Sequence, residues 1–393
     1  MADNPVIVAG AGVGGLSAAL ALAAAGRYVI VLERAPALAE FGAGLQLAAN
    51  ATRRLARWGA LDRLKTLATA PEAVDLRSSS DGATIATVPV GESEERWGSV
   101  YLVAHRADLL TALSETAARS PDIEIRLGCS LEGWHADDQG VTVHVEGRPD
   151  LKGAALIGAD GLRSRVREGL GLATPDAPRY SGRTSWRALL PAETVPAAML
   201  APRSNLWLGA GAHLVHYPLR NASVLNVVAV VEDEWTDLDA PDFWASHGKA
   251  SFLASRFQGW SADIRNLIDA APEWRRWPLY ERKAVRSWAR GRVAVLGDAA
   301  HAMAPFLAQG AAQAIEDADA LGIAFAAHPH SEAAALDAYQ HARVARANRV
   351  QRASRMQGIV YHLAGPPAFL RDTTMRAIGP DGMAKASDWI YRA

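Results

Sequence analysis

The sequence predicts an α/β protein in which a parallel sheet is interrupted by an inserted antiparallel sheet and followed by C-terminal helices. Three observations point there. The chain opens on a short apolar strand, a glycine turn, an alanine-rich helix and a second apolar strand, the βαβ order of a parallel sheet. A buried-strand pattern followed by a long helix returns only at residues 292–327, so the parallel sheet is completed late. Between them lie period-two segments and eight of the chain's twelve tryptophans, from Trp186 to Trp288, which mark a sheet of a different kind.

Each element has its own reason. Val6–Ala9 is the first strand, and a helix follows from about Gly14 to Ala25. The stretch from Pro5 to Gly26 carries no charge, as a membrane span would, but Gly10, Gly12, Gly14 and Gly15 sit where a lone helix tolerates them least. Asp3 precedes it and no basic residue does, which argues against a secretory leader. Tyr28–Leu32 is the second strand, ending at Glu33, and helical patterning resumes over Ala49–Leu67. Val74–Arg77 and Thr84–Val88 alternate as antiparallel strands about the Asp81-Gly82 turn. His105–Ala118 is a helix; Ile123–Leu127, Val141–Val145, Ala154–Ile157 and Val224–Val231 are strands. Arg292–Leu296 is a buried strand running into Gly297-Asp298, and Gly310–Ala327 is a helix. The last sixty residues are mostly helical, with Arg343, Arg346, Arg349 and Arg352 reading by default as a solvated face. The tryptophan-rich stretch either lines a site for a flat organic molecule or fills ordinary core.

Composition bounds the function. At 393 residues, half of them hydrophobic, the chain is long enough for two packed units. A net charge of −1 argues against a nucleic-acid or anionic-membrane coat. A single cysteine, Cys129, leaves no disulfide framework or thiolate cluster and suits a reducing cytoplasm. The close histidine pairs lack companions at ligand spacing, so no metal site is expected.

Gly10-Ala11-Gly12-Val13-Gly14-Gly15 fits G-x-G-x-x-G between a strand and a helix, with Glu33 eighteen residues beyond Gly15. Gly10 permits the tight turn, Gly12 lets a pyrophosphate approach, and Gly15 lets helix and strand pack. The phosphates then meet the amides of a helix N-terminus around Val13 and Gly14, and Glu33, with Arg34 beside it, meets the ribose. This predicts a Rossmann-like dinucleotide-binding domain.

Two later segments identify the dinucleotide by resemblance. Gly158–Arg167, with Asp160 and Gly161, resembles the Asp-Gly motif of the class A flavoprotein monooxygenases. Gly297-Asp298-Ala299-Ala300-His301, with Pro305 and Gly310, resembles their second FAD motif. Gly42–Gln46, Asn50 and His105–Leu109 are also similar to family segments, and the likeness to salicylate hydroxylase and 3-hydroxybenzoate 6-hydroxylase types spans nearly the whole chain. The resemblance implies FAD, bound non-covalently, and NADH or NADPH as a transient co-substrate with no domain of its own. It places Gly44, Gln46 and Arg106 near the flavin and has Asp160 support both FAD and the nicotinamide. Asp298 would hold the ribityl chain, and Gly310 and Ala311 would aim a helix dipole at the flavin's pyrimidine edge.

The implied organisation is a FAD-binding domain over residues 1–75, 101–180 and 286–340. Substrate-domain strands occupy 76–100, a substrate-binding sheet 181–285, and a helical segment 341–393.

The strand His213–Arg220 puts His213, Val215 and Tyr217 on one face, and a histidine and tyrosine four apart match the family's substrate pocket. His213 is either a base for a phenol or a core histidine satisfied by backbone; Tyr217 would orient the substrate. Pro305, Phe306 and Leu307 would form the other wall. Pro305 stands where the 3-hydroxybenzoate 6-hydroxylase pattern has glutamine, which speaks against para-directed hydroxylation of that compound. Arg187 and Arg203 are either carboxylate-holding cations or surface residues.

The implied activity is a single-component FAD-dependent monooxygenase. It uses NAD(P)H and O2, through a flavin C4a-hydroperoxide, to hydroxylate a hydroxybenzoate, a salicylate-like acid or a hydroxypyridine carboxylate. The rivals are a FAD-dependent dehydrogenase or reductase on the same fold and a non-catalytic flavin-binding redox sensor. The expected partners are a small aromatic substrate and dioxygen, with no nucleic acid and no membrane span. The sequence is compatible with a homo-oligomer.

Overall fold

The computed structural model describes residues 4–38, 44–172, 177–235 and 246–393. Gly42, Ala43 and Trp244 lie outside the described residues.

Val6–Ala9 pairs in parallel with Val29–Glu33 on one side and Ala155–Gly158 on the other. The sheet runs in the order Ala289–Arg290, Val293–Val295, Ala155–Gly158, Val6–Ala9, Val29–Glu33, Ile123–Leu127, and every pairing except that of Ala289–Arg290 is parallel. Its central strands are apolar and fully buried, as covered parallel strands are. The uncharged stretch after Pro5 is thus strand, turn and helix, and no helix among the described residues is long and apolar enough to cross a membrane. The helices Val13–Ala24 and Gly310–Ala327 pack against each other beside this sheet. A side chain on Gly322 would meet the Ala21 carbonyl at 2.7 Å, so the approach needs glycine there.

A single helix over Ala49–Leu67 does not form. Gly59 adopts φ +74° and ends Ala49–Arg57, and a separate turn of helix follows at Leu61–Lys65.

The second sheet has seven strands in the order Arg275–Glu281, Arg179–Pro191, Val224–Glu232, Ala212–Leu219, Arg203–Gly209, Ala73–Ser78, Thr84–Pro89. Its pairings are antiparallel except Arg203–Gly209 with Ala73–Ser78. The strands Ala73–Ser78 and Arg179–Pro191 straddle the expected domain boundaries at 75/76 and 180/181.

Strand alternation gives this sheet two unlike faces. One carries Trp186, Leu214, Val227 and Ala229 into a core with Leu253, Phe257, Ile264 and Leu267 of the helices Ala250–Arg256 and Ala262–Ala270. The other carries Arg187, His213, Val215, Tyr217, Val228 and Val230 toward the dinucleotide turn. Four of the tryptophans, Trp186, Trp207, Trp260 and Trp274, therefore fill core on the helix-covered side, Trp235 and Trp277 are half-buried against arginines, and no described tryptophan lines the cavity on the other.

The arginine stripe is not a solvated face throughout. Glu316 and Asp317 are buried on Gly310–Ala327 and require counter-charge. Arg343, only 4% exposed, supplies it at 2.6 Å to Glu316 and 2.8 Å to Asp317, and Arg346 adds a contact of 2.6 Å to Glu316. Arg349 and Arg352 remain exposed.

Candidate active site

A cavity of about 520 Å³ runs from the glycine turn to the open face of the seven-stranded sheet. At the turn, Gly10 has φ +101°, and a side chain there would meet the Ala159 carbonyl at 2.5 Å. A side chain on Gly15 would overlap the Gly10 carbonyl, whereas one on Gly12 would meet nothing within 4 Å. Gly10 and Gly15 are thus needed by the fold, and Gly12 keeps space free for a ligand. Gly12, Val13 and Gly14 line the cavity, and no side chain caps the helix they begin. Its first amides are therefore available to an anion. Glu33 closes the turn: its carboxylate accepts from the Ala11 amide at 2.8 Å and the Ala35 amide at 2.9 Å. Arg34 lies beside it on the cavity wall.

Further along, Asp160 and Gly161 line the same cavity. Asp160 accepts from Ser164 Oγ at 2.5 Å and from the amides of Arg165 and Val166 at 2.8 and 3.1 Å, fixing the start of the next helix. Burial pushes its carboxyl above the usual aspartate range even against these bonds. Asp298 is exposed on the cavity wall, at the turn where Gly297 takes φ +59°. Arg106, Gly310 and Ala311 are also on the wall, and the helix starting at Gly310 has no side-chain cap. Two uncapped helix starts, an open glycine cradle and polar groups along one elongated cavity fit FAD. Glu33 would hold its ribose, the Gly12–Gly14 turn its pyrophosphate, Asp298 its ribityl chain and Gly310-Ala311 the ring edge.

Gln46 is clamped on the wall: Tyr101 Oη donates to its Oε1 at 2.5 Å, and its Nε2 donates to Ser204 Oγ at 3.2 Å. Gly44 donates its amide to Asn226 Oδ1 at 2.8 Å. A side chain on Gly44 would meet Tyr217 Oη at 2.7 Å, so the tyrosine ring occupies the space glycine leaves.

Beyond this point lie His213, Tyr217 and Arg187. Register explains the grouping: His213 opposes Val230, Val215 opposes Val228 and Tyr217 opposes Asn226, while Arg187 opposes Val228 from the next strand. Burial holds the His213 imidazole well below its usual range, with His362 and Arg183 adding to the effect, so the ring is neutral at pH 7. Tyr217 is buried and its phenol raised above the usual value by that burial. Burial lowers Arg187 to about 10, still cationic at neutral pH; its Nε has no hydrogen-bond partner, and its guanidinium lies over Trp277.

Of the expected opposite wall, Pro305 lines the cavity, joined by Met303 and Ala308. Phe306 does not line it: it is buried edge-on to His213 at 5.5 Å and packs where Gly358 leaves room. Arg203 is not at the site; it pairs with Asp75 at 2.8 Å. Sequence reasoning missed His362, whose Nε2 lies 2.8 Å from His213 Nδ1 although 149 residues separate them. It also missed Tyr101 and Ser204, which no local pattern marks.

Fold and cavity together define an FAD-dependent oxidoreductase whose second sheet offers a small polar pocket. The FAD binding domain family model matches residues 3–354, and the chain belongs to that family. It is 36% identical over 392 residues to the 3-hydroxybenzoate 6-hydroxylase of Polaromonas naphthalenivorans (strain CJ2), covering 99% of this chain and 96% of that one. It is 34% identical over 353 residues to the 6-hydroxynicotinate 3-monooxygenase of Bordetella bronchiseptica, covering 89% and 90%. The solved structure of Klebsiella pneumoniae HpxO with FAD and uric acid superposes with TM-score 0.86 at 25% identity, over 98% and 96% of the two chains. The chain is an enzyme of the FAD-dependent monooxygenase class.

Proposed function

We propose that this enzyme hydroxylates the ring of a small aromatic acid bearing both a hydroxyl and a carboxylate, consuming NAD(P)H and dioxygen. The observation that carries this reading is the trio on one sheet face: a neutral histidine, a tyrosine and a half-buried arginine that pairs with no carboxylate among the described residues. A hydroxybenzoate or hydroxypyridine carboxylate matches them. Arg187 would take the carboxylate, and His213 and Tyr217 the ring hydroxyl. Pro305 gives the facing wall an apolar surface that offers no side-chain hydrogen bond. The named relatives act on hydroxybenzoate and hydroxynicotinate, the same pairing of groups.

Bound FAD supplies hydride acceptance from reduced nicotinamide and activation of dioxygen. The protein's own part is to hold the ring against the cofactor, exclude water with the valine-lined sheet face, and stabilise the ring oxygen's charge. A cytoplasmic setting, where reduced nicotinamide is made, belongs to the same reading.

The test is anaerobic stopped-flow reduction of the FAD-loaded enzyme by NADH or NADPH with hydroxybenzoates and hydroxynicotinates. Reduction accelerated by one such acid, followed aerobically by one hydroxylated product per dioxygen, is expected. Reduction indifferent to every aromatic acid, or turnover that releases only peroxide, would overturn the proposal in favour of a dehydrogenase or sensor.

A further inference from the structure

A directed hydrogen-bond chain ends on His213. Arg183 Nε donates to His362 Nδ1 at 3.2 Å. Arginine has no acceptor, so His362 Nδ1 must carry a lone pair. A histidine with one unprotonated nitrogen is neutral and bears its proton on the other, here Nε2. That nitrogen lies 2.8 Å from His213 Nδ1, which must therefore accept. The remaining nitrogen of His213, Nε2, then carries the proton, and it is the one left for the cavity that His213 lines.

Other groups around the pair do not reverse this order. Glu232, the nearest carboxylate, is 3.9 Å from His362 Nδ1, beyond hydrogen-bond reach, and is also 3.8 Å from Arg183. Phe306 and Tyr361 meet the His213 ring edge-on, each at 5.5 Å, and hold its plane. Burial and Arg183 keep His362 neutral, down at about 3. The chain joins the strand Arg179–Pro191, the C-terminal end of Glu332–Tyr361 and the strand Ala212–Leu219, so the direction of donation is built into the tertiary fold.

We infer that Arg183 and His362 are positioning residues that fix His213 as a hydrogen-bond donor toward the substrate's ring oxygen, not as a base. This rests on the proposed hydroxylation and reverses the base role expected from the sequence. Nε2 already holds a proton and cannot take the phenol's. The substrate O–H bond therefore breaks before the ring is enclosed, its proton passing to bulk water and its electron pair staying on oxygen. His213 Nε2–H and Tyr217 then hold the resulting phenolate, the form that activates the ring toward an electrophilic oxygen.

The decisive measurement needs no turnover, so its outcome is independent of whether the substrate reading holds. The FAD-loaded enzyme labelled with [15N]histidine is examined by two-dimensional 1H–15N correlation, with His213 and His362 assigned from His213→Gln and His362→Gln. The expected result is a coupling through the hydrogen bond, with the bridging proton attached to His362 Nε2, and a protonated His213 Nε2. A bridging proton attached to His213, or an unprotonated His213 Nε2, overturns the inference.

A second arm reads function, using 3-hydroxybenzoate as the probe ligand. His362→Leu removes the donor and is expected to weaken binding of the ionised probe about tenfold at unchanged FAD content. His362→Gln, whose amide also donates, should restore it to within about threefold, as expected for one neutral hydrogen bond. Equal losses in both variants, or no loss in either, would overturn the positioning role.

Discussion

The guanidinium of Arg187 lies 4.5 Å from the centre of the Trp277 ring. The contact sets a cation over the face of an aromatic ring, on the residue whose other side joins the cavity wall, and the Nε has no hydrogen-bond partner. A half-buried cation so placed is prepared for an anion that arrives with the ligand. Arg187→Leu is expected to weaken hydroxybenzoate binding about tenfold to hundredfold, the range of a charge-assisted bidentate pair. Flavin-absorbance titration checks it, with 3-hydroxybenzyl alcohol as the control. The alcohol lacks the carboxylate, and its affinity should not change.

Tyr217 and Gly44 form a second such pair. Tyr217→Phe keeps the ring in the space beside Gly44 and removes only the hydroxyl, so kcat/KM should fall about threefold to tenfold, as for one lost hydrogen bond. Gly44→Ala would displace the ring itself. Its loss should exceed that of Tyr217→Phe, measured as the initial rate of NADH-dependent product formation.

The glycine turn gives a contrast within one motif. Gly12→Ala places its methyl in open space, so the apoprotein should melt within about 2 °C of wild type. That methyl enters the phosphate cradle, and FAD affinity should drop at least about tenfold. Gly15→Ala drives its methyl onto the Gly10 carbonyl and should lower the melting temperature of the apoprotein itself. Differential scanning calorimetry and flavin content after gel filtration separate the two.

Acid stability follows from the buried carboxylates. Burial raises the pKa values of Glu316 and Asp317, but Arg346, Arg343 and His301 outweigh it and leave each carboxyl at about 2. Depressed folded-state values mean that the stabilisation is full above the unfolded carboxylate values, near 4.5 and 3.8, and is lost as pH falls toward 2. The melting temperature should therefore decline steeply below about pH 4.5. Arg343→Met, which removes the counter-charge the two acids share and leaves Glu316 to Arg346 and Asp317 to His301, should cost about 3 kcal/mol at neutral pH by urea denaturation.

Part of this enzyme is written locally. The strand, turn and helix from Val6 to Ala24 follow from an apolar run, glycines at fixed offsets and a helix-forming alanine stretch, and Glu33 falls where the second strand ends. Alternation along Ala212–Leu219 places His213, Val215 and Tyr217 on one face. These interactions span a few residues, and local periodicity encodes them directly. Other properties depend on which distant segments meet. Alternation separates the two faces of the second sheet but does not say which face helices will cover, so the tryptophans read equally as lining or as core. Arg343 looks like any helical arginine until Glu316 and Asp317 are buried against it. His213 looks like a base until His362, from the end of a helix 149 residues on, and Arg183 behind it, fix its proton on the other nitrogen. Sequence periodicity sets which side of a strand a residue occupies. Only the packed fold sets its neighbours, and for a histidine the neighbours decide whether the nitrogen facing a ligand donates a hydrogen bond or accepts one.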